Sequence, residues 1–396
     1  MNERTRSYLE GRFGDYYRRH EPVASLEPGR PCIPPLARQR EWGYIPFMST
    51  TTMVRHEAVF GDDHIGEFLQ RNKPRHVYHS TALYDEPGAN AMGAKGWRGA
   101  DLVFDLDADH LPGVDPDHDD HRSMLETCRE ATVDLVEILE TDFGFSDLTI
   151  VFSGNRGYHV HIRDDGVHGL DRHARRELVE YIRGEGLSFD SLVRTEAIAG
   201  GAGTTTRRQF QTDRGWGRRL VTGLIAYLEP LRERPREEIV EELATLPDIG
   251  PSRAESIART VESRWDAIER GDLDLHPDFV RFVRVFLEHR VRRTGPAIDE
   301  PVTTDVHRLI RLPGSLHGAT GLIVQPIERE ELSTFEPLTE AVAPMFEQVD
   351  ISVEVTAPVA LEVGGEEWRL DRGVHEVPEY VGIYLMASER GEKVQE

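Results

Sequence analysis

Residues 100–107 read Ala-Asp-Leu-Val-Phe-Asp-Leu-Asp, and this octet constrains the fold more than any other stretch of the chain. Leu102, Phe104 and Leu106 recur at the two-residue period of a strand, while Asp105 and Asp107 share the opposite face. Such a strand needs sheet neighbours and an apolar layer against it. It also brings two carboxylates to one place, where they repel each other unless a cation lies between them. Hard oxygen donors suit Mg²⁺ or Mn²⁺. The competing reading is a solvated acidic strand end.

The rest of the sequence supplies partners. Residues 76–83 (HVYHSTAL) and 148–152 (LTIVF) read as strands, and 158–163 as another after a turn at 153–157. Residues 122–142 follow an amphipathic helical pattern with Leu125, Thr132, Leu135, Val136 and Leu139 inward, and 171–186 reads as a helix. Residues 1–20 carry Tyr8, Phe13, Tyr16 and Tyr17 at helical spacing, and a Pro-rich irregular stretch follows over 22–47. From 229 to 293 the pattern is helical only, with helices expected at 236–246, 251–270 and 277–293. Within it, 246–258 (LPDIGPSRAESIA) reads either as a helix-hairpin-helix turn or as a plain Gly-Pro connection. Residues 304–325 return to strand and turn. The expected organisation is 1–228, a helical subdomain at 229–293, a return segment at 294–326 and an acidic segment at 327–396.

Two further motifs carry chemistry. Ser153-Gly-Asn-Arg-Gly-Tyr-His159-Val-His161 follows the strand LTIVF directly. Its glycines allow a ligand close to the backbone, and Arg156 offers a planar fork for phosphate oxygens. His159 and His161 alternate onto one side of the next strand. Asp305-Val-His307-Arg308-Leu-Ile-Arg311-Leu-Pro-Gly-Ser315-Leu-His317 adds a third acid, two arginines and a histidine. Each motif alone also fits an ordinary turn. Together they match the parts of a two-metal nucleotidyl transferase, in which carboxylates hold cations and basic groups neutralise a triphosphate.

On these three motifs, FDLDAD (104–109), SGNRGYHVHI (153–162) and DVHRLIRLPGSLHGATGL (305–322), the chain resembles the archaeo-eukaryotic primase family, in its archaeal small catalytic subunit branch. The resemblance implies an α/β (α+β) primase-polymerase core with mixed or antiparallel sheets and an inserted all-helical subdomain. It also implies DNA-templated synthesis of short RNA primers, with DNA primers an open option, from NTPs or dNTPs with release of pyrophosphate. Carried over by position, the catalytic and metal-binding carboxylates are Asp105, Asp107 and Asp305. The nucleotide contacts are Ser153, Arg156, His159, Arg311 and His317. The implied cofactors are two Mg²⁺ or Mn²⁺ ions, and the implied partners are the primase large subunit and a single-stranded DNA template. Family members often carry a zinc knob after the paired acids. Here only His110, His118, His121 and Cys128 are available, a poor match to structural zinc sets, so no structural zinc is expected. A gap-filling repair polymerase, a non-catalytic single-strand-binding subunit and a phosphohydrolase using His159 and His161 stay open as alternatives.

Charge points two ways. The 396 residues carry a net charge of −24, which by itself argues against a polyanionic partner. Yet residues 163–219 and 281–311, beside the second and third motifs, each hold more arginine than acid. Only Lys73, Lys95 and Lys393 are lysines. Retained arginine within an acidic surface fits phosphate recognition in a salt-rich cytoplasm. Two cysteines and no long apolar run predict a reducing cytoplasmic setting and no membrane span.

Overall fold

The computed structural model describes residues 1–23, 30–48, 52–61, 63–115, 119–200, 203–294 and 298–395. The chain divides into two compact units. The first comprises Met1–Val136, Phe145–Val179 and Pro296–Glu396, and the second Glu137–Gly144 with Glu180–Gly295. The helical stretch expected at 229–293 lies inside the second unit, which begins earlier than expected. That unit also carries an antiparallel hairpin of strands Val193–Gly200 and Gly203–Phe210 and a helix Gly215–Arg232. Helices Phe189–Leu192, Arg236–Leu243, Pro251–Ser263, Trp265–Glu269 and Pro277–Thr294 also belong to it. At 246–258, Ile249, Ala254 and Ile257 are buried, and Asp248 takes a left-handed φ of 60° at the hairpin. No described helix is long and apolar enough to cross a membrane.

The first unit holds two four-stranded antiparallel sheets, whose strands are numbered here in chain order. They are β1 (Trp42–Ile45), β2 (Val54–Glu57), β3 (His76–Ser80), β4 (Leu102–Asp107), β5 (Leu148–Phe152), β6 (Gly157–Ile162), β7 (Leu309–Arg311) and β8 (Pro326–Ile327). The first sheet runs β7-β3-β1-β2 and the second β8-β5-β6-β4. In β4, Leu102, Phe104 and Leu106 are all fully buried, as the two-residue period requires. Helix His121–Asp142 buries the five residues expected on its apolar face.

The strands expected at 76–83 and 100–107 are each interrupted. Ala82–Tyr84 and Trp97–Ala100 form a separate hairpin. Buried arginines explain the breaks. Arg40 donates to the carbonyls of Ser80 and Thr81 at 2.9 and 3.0 Å. Arg175 donates to those of Ala100 and Asp101 at 2.8 and 2.9 Å. Guanidinium forks thus satisfy carbonyls that leave the ladder.

The acidic segment 327–396 is folded. Strands Asp350–Val355, Gly373–Pro378 and Gly391–Lys393 form a sheet, Val359–Val363 pairs with Glu366–Leu370, and helix Glu379–Ala387 is buried along its length. It closes on the first helix, Glu3–Arg19, where Glu379 accepts from Tyr8 and pairs with Arg12 at 2.6 Å.

Candidate active site

Asp105 and Asp107 end β4, opposite His159 and Gly157 of β6. The Asp105 carboxylate lies 3.4 Å from His159 Nε2. Its backbone carbonyl accepts the N–H of Asp299 at 2.9 Å. Burial and then the charge of Asp299 push Asp105 up to about 6, against the pull of Arg308 and Arg311. Burial raises Asp107 as well, with repulsion from Asp109 and Asp105 added, while the Asp109 N–H and Arg156 oppose it.

Burial, and then neighbouring acids, make the charged form of both carboxylates unfavourable despite Arg308, Arg311 and Arg156 nearby. A divalent cation fits this donor set, because its oxygens are hard and its charge is uncompensated. Among the described residues no group of three or more His, Cys, Asp or Glu is gathered to enclose a metal. The donors that β4 brings to one face are the two carboxylates Asp105 and Asp107.

Asp305 is the third carboxylate expected from the sequence. It ends the short helix Glu300–Thr304 and accepts the His307 N–H at 2.9 Å. Its charge acts on Tyr84 and Arg175. The fold also sets Asp299, at the start of that helix, beside Asp105. An antiparallel bridge between Leu106 and Ile298 aligns the chain there, and the helix then carries Asp305 away from that bridge.

The turn after β5 is held by its own residues and by the third motif. The Ser153 hydroxyl accepts the Gly157 N–H at 3.2 Å and closes it. Gly154 has φ +84°, and a Cβ there would sit 2.6 Å from His317 Cβ, so only glycine lets the second and third motifs meet. Arg156 is half-exposed and pairs with Asp109 at 2.7 Å. His159 is buried and held down to about 3 by burial and by Arg311 and Arg308, so it is neutral at pH 7. Its Nδ1 is buried without a hydrogen-bond partner. His161 is fully buried and stacks against His79, 6.4 Å between ring centres, and stands apart from the carboxylates as part of the core.

Arg311 pairs with Tyr78 across β7 and β3, its guanidinium 5.7 Å from that ring's centre, and its Nε is buried without a partner. Its charge acts on Asp105, His76, His159 and His317. His317 is buried, in edge contact with His76 at 4.9 Å. His76 and Arg75 thus join the cluster from β3 and the residue before it, and the Arg75 Nε donates to the Gly318 carbonyl at 3.0 Å. The local pattern at His76 marks a strand and nothing else, because the contact with His317 is made across the sheet. Among the residues weighed for zinc, Cys128 is buried with its thiol 3.6 Å from the Leu106 carbonyl. His121 is committed to Asn155 and Tyr384. His118 lies outside the described residues.

Comparison with known proteins adds a family. The pattern of the DNA primase small subunit family matches residues 104–329. The chain is 47% identical to "DNA primase small subunit PriS" of Haloarcula marismortui over 100% of both chains. It is 48% identical to the protein of that name from Natronomonas pharaonis over 98% of both. The polymerase domain of Mycobacterium tuberculosis ligase D in complex with DNA aligns over 82% of both chains at 13% identity, with a TM-score of 0.29.

Proposed function

Because the chain belongs to the DNA primase small subunit family, we propose that it is the catalytic subunit of a DNA primase, a nucleotidyltransferase that makes primers on a DNA template in replication. The observation that carries the site assignment is the pair Asp105 and Asp107 on one strand face, with Asp299 alongside and the arginine- and histidine-bearing turn on the neighbouring strand. The reaction joins the primer 3′-oxygen to the α-phosphorus of a bound NTP, and the bond from that phosphorus to the pyrophosphate leaving group breaks.

Asp105, Asp107 and Asp299 would hold the divalent cations, Mg²⁺ or Mn²⁺, with Asp299 replacing Asp305 in that role. Bound there, such cations stabilise charge on the phosphoryl oxygens and favour the ionised hydroxyl. The remaining work falls to this chain's own side chains. Arg311, with its unpartnered Nε, and Arg156 neutralise the triphosphate. His159 and His317, neutral and buried, contribute hydrogen bonds without net charge. Ser153 fixes the turn that presents Arg156. The family name "small subunit" supports a large-subunit partner, and the single-stranded template follows from the priming reaction. The arginine-rich, lysine-poor acidic composition supports work in a salt-rich cytoplasm.

The test is primer synthesis from NTPs on single-stranded DNA, with the large-subunit partner present and across a salt series. Asp107→Ala should lower incorporation by at least about 10³-fold while the protein stays folded. A folded Asp107→Ala protein that still polymerises would sink the assignment. Wild-type activity should persist in molar salt.

A further inference from the structure

Each backbone carbonyl from Gly154 to Gly157 is anchored, and each by a different group. The Gly154 carbonyl accepts from the Thr320 hydroxyl at 2.6 Å. The Arg156 carbonyl accepts from the Ala108 N–H at 2.9 Å, and the Gly157 carbonyl from the Ser153 N–H at 2.8 Å. The Asn155 carbonyl, at the tip, faces His121 Nε2 at 3.1 Å. The other ring nitrogen of His121, Nδ1, faces the Tyr384 hydroxyl at 3.3 Å. Tyr384 is a buried residue of helix Glu379–Ala387, in the acidic C-terminal segment.

These contacts select one form of the imidazole. A neutral ring has one N–H, so Nε2–H donates to the Asn155 carbonyl and Nδ1 accepts the tyrosine O–H. Burial favours that neutral form, and Arg156 and Arg390 reinforce it against the Asn155 carbonyl. The turn also borders a cavity of about 680 Å³, lined in part by Asn155, Arg156, His121, Tyr384 and Arg390. On that side the tip meets open space instead of packed side chains. The hydrogen-bonded chain is what anchors it there.

We infer that His121 and Tyr384 are positioning residues for nucleotide binding, holding the Asn155 carbonyl so that Arg156 is aimed at the triphosphate. The inference rests on reading the turn as the nucleotide site. It gives the C-terminal segment a task, as a brace reaching the turn through one helix and one imidazole. Preorganisation of this kind acts on substrate affinity, because a loosened turn must be ordered again at each binding event.

The experiment is steady-state extension of a primed template with the NTP concentration varied, alongside thermal unfolding. Tyr384→Phe removes only the hydroxyl, and should raise KM for NTP about 3–10-fold while kcat stays within about twofold. His121→Ala should raise KM at least as much. Arg156→Ala should raise KM on its own, and adding Tyr384→Phe to it should produce no further rise. An unchanged KM for Arg156→Ala would overturn the reading of the turn. If Arg156→Ala raises KM while Tyr384→Phe and His121→Ala, both folded, keep the wild-type value, the brace is wrong and the turn assignment stands. A Tyr384→Phe effect that persists in full on the Arg156→Ala background would also overturn the brace.

Discussion

Asp101 and Asp105 lie four residues apart on one stretch of chain, and their surroundings drive them in opposite directions. Asp101 is 1% exposed, yet it is held well below the usual carboxylate range. Burial alone would raise it, but a hydrogen bond from His168 and the charges of Arg40 and Arg163 outweigh burial. Arg40 sits 2.9 Å from its carboxylate and is itself buried. Asp105 is more accessible, yet burial and Asp299 raise it to about 6. The difference separates a carboxylate whose charge the fold has answered from one whose charge burial and a neighbouring acid disfavour, the one we propose to take a cation. The first ties strands together where Arg40 and Arg175 take up the loose carbonyls. The second carries a burial penalty, with repulsion from Asp299 added, that a bound cation would offset.

Replacement at the answered charge should cost the most stability. Asp101→Asn strands Arg40 without its counter-charge and should destabilise the protein by about 3–5 kcal/mol in denaturant unfolding. The pH dependence follows from the lowered folded value. The stability Asp101 contributes is present above its unfolded value of about 3.9, and is lost as pH falls through the lower folded value. Asp101→Asn should therefore flatten the acid limb of the stability curve, and an unchanged limb would remove Asp101 from the account.

A narrower comparison separates the two ends of helix Glu300–Thr304. Asp299→Ala should lower kcat by at least about 100-fold if, as proposed, it removes a carboxylate that holds a cation. Asp305→Ala, which loses an Asx-turn contact to the His307 N–H, should cost under about tenfold. The reverse ranking in a primer-extension assay would restore Asp305 as the third ligand.

What the sequence made legible follows from the range of each interaction. Asp105 and Asp107 were readable because a strand's period is local, and the register with His159 and Gly157 keeps them on one face. The turn from Ser153 to His159 was readable because its parts are contiguous. Asp299 was not, since its place depends on an antiparallel bridge between Ile298 and Leu106, far apart in the chain. Arg75 and His76 were missed for the same reason, as β7 brings their strand to Arg311. The segment 327–396 read as an acidic tail because net charge counts its surface. Its buried Ile351, Val353 and Val355, and the apolar helix that carries Tyr384, form a core that the charge total hides. The strand breaks at Thr81 and Asp101 arise from arginines contributed by distant elements, which no local pattern announces.

The most direct measurement pairs stability with activity in Asp105→Asn. In the wild type a carboxylate raised to about 6 weakens the fold as pH rises from its unfolded value near 4 through 6, because the folded state must then hold an unfavourable charge. The amide removes that penalty. Asp105→Asn should be more stable than wild type at pH 7 by about 1–3 kcal/mol, with the gain vanishing below about pH 4. Assayed on the same sample, it should make no primers on single-stranded DNA. A variant that is less stable at pH 7, or one that still synthesises primers, would contradict the claim that Asp105 is a charge left unanswered for catalysis.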